Sequence, residues 1–227
     1  MKTRIFIAIL AIAGFAFDST AQTTVSTKGT ESKGITWSVR TGLNVSNITD
    51  FDDYKAKAGF HLGVLADIPV PMAIDGFSVQ SGLFYTMRGS KYKDSDSDWK
   101  ETEKIASHYF QIPVYWSYKY DFGSVAVSAF TGPYIAVGLG GKIKYKYEEE
   151  YDGEWEKDSG NENLFGKDKD DSANWKRFDF GWSLGAGVTF DRIYVGLQYD
   201  FGFINMMRES DAHPKNRNFS LSVGYSF

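Results

Sequence analysis

The segment from Arg217 to Phe227 constrains the fold more than any other. Phe219, Leu221, Val223, Tyr225 and Phe227 share one phase, and Asn218, Ser220, Ser222, Gly224 and Ser226 share the other. Successive side chains of a strand point to opposite faces, so this strand has one wholly apolar face and one polar or small face. A soluble sheet that ended this way would expose an edge open to aggregation. A closed barrel in hydrocarbon requires the pattern, with its last strand paired to its first and every backbone amide satisfied by a neighbour.

The start of the chain points the same way. Lys2 and Arg4 precede the apolar run from Ile5 to Phe17, and Ser19-Thr20-Ala21 follows with small residues. This is the composition of a secretory signal peptide over residues 1–21, cut before Gln22. The apolar run is shorter than the roughly 20 residues a spanning helix needs. Residues 22–34, rich in Thr, Ser, Lys and Gly, are expected to form a flexible periplasmic segment, and residues 35–227 the barrel. The chain has no cysteine, which rules out disulfides and thiolate chemistry. Its net charge of −4 leaves no footprint for nucleic acid.

Eight segments alternate in the manner of barrel strands. Ile35, Trp37, Val39, Leu43 and Val45 define the lipid phase of the first, and Phe60, Leu62, Val64 and Ile68 that of the second, where Leu65 breaks the polar phase. Phe77, Val79, Leu83, Tyr85 and Met87 mark the third; Phe110, Ile112, Val114, Trp116 and Tyr118 mark the fourth. The fifth runs from Val125 to Leu139 and contains Pro133, which cannot donate to a ladder and predicts a bulge or break there. Phe178 to Phe190, Ile193 to Phe203, and the closing segment complete the set.

The connections alternate in length. Pro69–Gly76, Asp121–Gly123 and Asp191–Arg192 are short, whereas Ser46–Lys57, Gly89–Glu103, Glu148–Asn174 and Asn205–Lys215 are long. Outer-membrane barrels have short periplasmic turns and longer extracellular loops, so both termini are expected in the periplasm. Aromatics gather at both ends of the lipid phase, with Trp37, Tyr118, Phe190 and Tyr225 at one and Phe60, Tyr85, Phe110 and Phe178 at the other. Aromatic rings favour the membrane–water boundary.

Several short elements resemble the PorT-like outer-membrane β-barrel family of Bacteroidota. They are Gly42-Leu-Asn-Val-Ser-Asn47, Ser81-Gly-Leu-Phe-Tyr-Thr-Met-Arg-Gly-Ser-Lys91, Tyr109-Phe-Gln-Ile-Pro-Val114, Gly132-Pro-Tyr134, Asp179-Phe-Gly181 and Gly185-Ala-Gly187. The resemblance spans nearly all of the chain after the leader, in order and spacing. It implies an all-β, eight-stranded, antiparallel, up-and-down transmembrane β-barrel in the bacterial outer membrane. It implies no particular activity. The long acidic third loop departs from the family pattern.

An eight-stranded barrel has an interior that side chains can fill. On the inward phase lie Arg40, His61, Asp67, Gln80, Arg88, Gln111, Tyr115, Lys119, Arg177, Asp179, Gln198 and Asp200. Charges of both signs must pair to be tolerated there, so a polar plug is the expectation and a narrow path for ions or small solutes the alternative. The segment from Glu148 to Asn174 carries eleven acids against three lysines. Its acids Glu148, Glu149, Glu150, Asp152, Glu154, Glu156, Asp158, Asp168, Asp170 and Asp171 read as a solvated extracellular loop, or as a surface for divalent cations beside lipopolysaccharide or for a protein partner.

Catalysis and cofactors find little support. Asp94-Ser-Asp-Ser-Asp98 resembles half a calcium loop, but Trp99 and Ile105 stand where the full loop needs Gly and Glu. The three histidines, His61, His108 and His213, share no metal-ligand spacing. A lipid-modifying barrel enzyme would need a nucleophile, a base and an orienting group in reach. His108 and its neighbour Ser107 point to opposite faces. The sequence thus predicts a non-enzymatic structural or interaction barrel. Outer-membrane lipid and lipopolysaccharide are its expected surroundings, and an extracellular or periplasmic protein its possible partner.

Overall fold

The computed structural model describes residues 34–51, 53–70, 74–152, 154–166, 173, 175–208 and 212–227. The expected signal peptide and nearly all of the N-terminal segment lie outside these residues, as do Asp168, Asp170 and Asp171.

Among the described residues, nine antiparallel strands form in chain order: β1 (Thr36–Ile48), β2 (Lys55–Pro69), β3 (Phe77–Ser95), β4 (Trp99–Asp121), β5 (Val125–Tyr151), β6 (Glu154–Asn163), β7 (Phe178–Phe190), β8 (Ile193–Gly202) and β9 (Asn216–Ser226). Eight of them close a ring. Each of β1 to β4 pairs with the next in sequence, β4 pairs with β5, β5 with β7, then β8 and β9 follow, and β9 returns to β1. Closure is tight at the seam, where Val39 opposes Tyr225 and Phe227 N–H donates to Trp37 O at 2.9 Å. A ring without an edge leaves no ladder group facing hydrocarbon.

The outer wall is apolar. Leu43, Leu62, Leu184 and Leu221 are about half exposed, and no second layer covers them among the described residues. Polar atoms on this wall are satisfied locally. Trp182 Nε1 donates to Thr131 Oγ1 at 2.7 Å, and Thr41 Oγ1 donates to His61 O at 2.9 Å. Trp116 and Trp182 pack with ring centroids 5.7 Å apart.

Short turns crowd one end. Asp191 takes a left-handed φ of 53° in the two-residue link between β7 and β8. Gly123 takes φ 99° beside Asp121, whose Oδ1 accepts the Gly123 N–H at 2.6 Å. Asp is among the few non-glycine residues at home in that conformation.

The other end departs from expectation. The stretch read as an acidic loop is largely sheet. β5 continues to Tyr151 and turns back as β6, with Lys144 opposite Asn161 and Glu148 opposite Lys157. β3 and β4 likewise extend past the barrel to Ser95 and from Trp99. The result is a four-stranded extension, β3-β4-β5-β6, standing on one arc of the rim. Pro133 pairs in register with Trp182 on the β7 side, but on the β4 side the ladder breaks at it, between Pro113 opposite Tyr134 and Trp116 opposite Thr131, without a change of register. The irregularity in β5 lies higher, where Tyr109 opposes Gly138 but His108 opposes Gly140, so Leu139 is the extra residue. A second shift interrupts β2 between Ala56 and His61.

Candidate functional site

The barrel interior is built by strand phase. Arg88 on β3 is 1% exposed and reaches across the lumen. Its Nη1 donates to Asp179 Oδ2 at 2.8 Å and its Nη2 to Asp200 Oδ2 at 3.3 Å. Nη2 also donates to Gln111 Oε1, and the guanidinium lies 5.0 Å from the Tyr134 ring centroid. The carboxylates are held in turn. Asn216 Nδ2 donates to Asp179 at 3.0 Å, and Ser183 Oγ, Gln198 Nε2 and Asn218 Nδ2 donate to Asp200 at 2.7, 2.6 and 3.2 Å. Tyr115 joins through Ser183 at 3.1 Å. One cation and two carboxylates are thus desolvated together, made tolerable by their mutual pairing and by these neutral donors, while Asp179 Oδ1 and Arg88 Nε keep no protein partner.

Nearer the short turns the network thins. Gln80 Nε2 donates to Asp67 Oδ2 at 2.7 Å and to Ser117 Oγ at 3.2 Å. The Arg40 guanidinium lies over the Tyr194 ring, 3.9 Å from its centroid. Two inward-phase cations do not join. Lys119 is exposed at the foot of β4, where the wall ends. Arg177 precedes β7 and is exposed. It donates to Gly138 O at 3.0 Å, Leu139 O at 3.2 Å and Phe165 O at 3.3 Å. Its role is to cap the carbonyls beside the bulge.

Strand phase did not reveal what roofs the lumen. Ile48, Ile105, Tyr109, Tyr134, Leu164, Phe165, Trp175 and Met206 form an apolar cluster at the end away from the short turns. Leu164 N–H donates to Gly141 O at 2.9 Å, and Trp175 N–H donates to Leu164 O at 3.0 Å, which pins the segment after β6 over the mouth. The Tyr109 and Tyr134 rings belong both to this cluster and to the surroundings of Arg88. Leu164 and Phe165, apolar residues within an otherwise acidic loop, were the available signal for ordered packing, and Trp175 in the aperiodic stretch beyond them is a further one.

His61 forms an arrangement the sequence could not show. Its Nδ1 lies 2.7 Å from Asn44 Oδ1, and its Nε2 lies 2.9 Å from Ser222 Oγ. Asn44 Nδ2 already donates to Thr86 Oγ1 and Met87 O. The Asn44 oxygen therefore accepts from Nδ1–H, and Nε2 accepts from the Ser222 hydroxyl. That order matches a hydrolytic triad, but the setting does not. Ser222 sits in ladders with both Gly42 and Gly196, so its backbone offers no oxyanion donors. The cavity beside it, lined by Arg40, His61, Tyr194 and Ser222, is about 30 Å³, room for about two waters. Tyr85 Oη contacts His108 Nδ1 at 2.6 Å on the outer rim, and His213 contacts Asn205. Among the described residues, no group of three or more His, Cys, Asp or Glu is placed to hold a metal ion.

The sequence from residue 20 to 208 matches the family model described as outer membrane protein beta-barrel domain. Comparison with curated proteins gave no significant match. Solved structures that resemble the fold include the attachment invasion locus protein Ail of Yersinia pestis, at 16% identity over 85% of this chain and 98% of that one, with a TM-score of 0.33. Neisserial surface protein A matches at 12% identity over 86% and 99%, with a TM-score of 0.39. The N-terminal β-barrel domain of Pseudomonas aeruginosa OprF matches at 12% over 84% and 97%, with a TM-score of 0.28.

Proposed function

Because the chain belongs to the outer membrane protein beta-barrel domain family, we propose that it is a closed, non-conducting barrel that presents an interaction surface outside the cell. Its place is the bacterial outer membrane. The short-turn end and both termini face the periplasm, and the β3–β6 extension stands on the extracellular side. Within the family, the Tyr109-Phe-Gln-Ile-Pro-Val114 and Gly132-Pro-Tyr134 elements favour the PorT-like barrels of Bacteroidota.

The observation that carries this reading is the doubly blocked lumen. The Arg88–Asp179–Asp200 cluster crosses it, and the Leu164–Phe165–Trp175–Met206 roof covers it. An ion would have to displace a desolvated salt bridge and then an apolar seal. The working part is therefore the extension, and the role is binding rather than transport or catalysis.

Purified protein in planar bilayers tests the proposal. The wild type should be electrically silent at moderate voltage. Steady, voltage-independent conductance steps would overturn the closed-barrel reading in favour of a narrow channel.

A further inference from the structure

The two faces of the extension differ in charge, and strand phase does the sorting. In β3, Tyr85 and Met87 face lipid, Gly89 follows, and Lys91 and Lys93 continue the same phase. In β4, Phe110 and His108 face lipid, Ala106 follows, and Lys104 continues. In β5 the lipid phase is Ile135, Val137 and Leu139, which without interruption would send Lys142, Lys144 and Lys146 toward the barrel mouth. The extra residue at Leu139 reverses that phase. Lys142 now opposes Ala106, and Lys144 opposes Lys104, on the outer face. The shift in β2 has the same effect on Lys55, which opposes Lys91. Lys57 lies within electrostatic reach of Lys104 and Lys144.

The opposite face holds Tyr92, Glu101, Glu103, Tyr145, Tyr147 and Asp158. Of the acids read from sequence as one anionic loop, Glu149, Glu154, Glu156 and Asp158 share this inner side, whereas Glu148 and Glu150 lie on the outer one. On the outer side Glu148 is engaged by Lys146 at 2.8 Å and Lys157 at 3.2 Å. Lys100 lies 4.2 Å from the Trp155 ring centroid. Among the described residues, Lys91, Lys93, Lys104, Lys142 and Lys144 have no ion-pair partner, and all are exposed.

Like charges set opposite one another on neighbouring strands repel. Lys104 against Lys144 and Lys55 against Lys91 are such pairs, and they call for an anionic counterpart. The surface is continuous with the lipid-facing wall. At a rise of about 3.3 Å per residue and a tilt of about 40°, Lys104 stands roughly 10 Å above His108, at headgroup height. A headgroup phosphate is the anion available there.

We propose that this outer lysine face seats the phosphate groups of outer-leaflet glycolipid, of the lipopolysaccharide class. The proposal rests on the extracellular placement of the extension given above. It makes the extension a clamp that holds a phosphorylated lipid shell against one arc of the barrel and leaves the acidic inner face for the mouth.

The test uses the full chain refolded into phosphatidylcholine vesicles containing a trace of spin-labelled phosphatidic acid, compared with spin-labelled phosphatidylcholine. Electron paramagnetic resonance reads the share of each label immobilised at the protein. Wild type should enrich phosphatidic acid about fivefold or more, falling toward unity as salt shortens the screening length. The variant K91Q/K104Q/K142Q/K144Q should insert equally, judged by its heat-modifiable gel band, and show no enrichment. K104E/K144E should disfavour phosphatidic acid. Equal partition in wild type, or enrichment retained in the quadruple variant, overturns the proposal. So does full displacement by millimolar inorganic phosphate, which would make free phosphate the ligand. Conductance in planar bilayers would sink the closed-barrel reading without touching this ratio, so the two failures are distinguishable.

Discussion

Arg88 Nη1 donates to Asp179 Oδ2 at 2.8 Å, joining β3 to β7 across the lumen between residues 91 positions apart, with both side chains essentially out of solvent. Removing one partner of such a pair leaves an uncompensated buried charge. Arg88→Met should lower unfolding stability by about 3–5 kcal/mol. Arg88→Met combined with Asp179→Asn and Asp200→Asn should recover most of that loss. Urea unfolding in vesicles measures both, and an unchanged midpoint for Arg88→Met alone would refute the assignment.

The roof should be separable from the plug. Trp175 is 2% exposed within the apolar cluster. Trp175→Ala should cost about 3–5 kcal/mol yet stay silent in planar bilayers, because the Arg88 cluster still crosses the lumen. Only with Arg88→Met added should brief openings appear. Openings in Trp175→Ala alone would show that the charged cluster does not block ions.

Inward glycines make room for rings. A Cβ at Gly187 would collide with the Tyr194 ring, over which Arg40 also lies. Gly187→Ala should destabilise by about 1–3 kcal/mol, and Tyr194→Leu in the same chain should relieve it. Thermal unfolding in detergent reads both, and additive losses would argue against the steric account.

The tip of the extension should be acid-sensitive. Hydrogen bonds from Lys146 and Lys157 hold the Glu148 carboxyl below its ordinary value of 4.5. A depressed carboxylate contributes above its unfolded value and loses that contribution as pH falls through the folded one. Amide protection around Glu148 and Lys157 should decline only below 4.5, while the barrel strands keep theirs. Glu148→Gln should show the weakened protection already at neutral pH, measured by hydrogen exchange.

Period-two alternation made the ring legible, because a lipid-facing wall allows no ambiguity about which face is apolar. The same phase set Arg88, Asp179 and Asp200 on one face, but phase carries no distances, so it could not say which of them meet. It also overreached at the ends. Arg177 shares the parity of Asp179 but lies outside the strand, and Lys119 lies where the wall has run out. The extension was missed for a physical reason. Above the membrane both faces of β5 are polar or amphipathic, as in Lys142-Ile143-Lys144-Tyr145-Lys146-Tyr147. Without a hydrocarbon boundary, alternation no longer distinguishes strand from loop. The roof stayed hidden because its residues come from aperiodic segments that only the folded chain brings together.

Leu139 reconciles two counts along β5. Lys142, Lys144 and Lys146 stand at an odd separation from Ile135 and Val137, so a strand of the present length can show both sets to the outside only by looping one residue out. Deleting Leu139 would therefore leave a regular ladder with Lys142 still opposite Ala106 and Lys144 still opposite Lys104. The electrostatic polarity of the molecule survives the loss of that codon, because it follows from which residues face each other across the ladder and not from the number of residues between them.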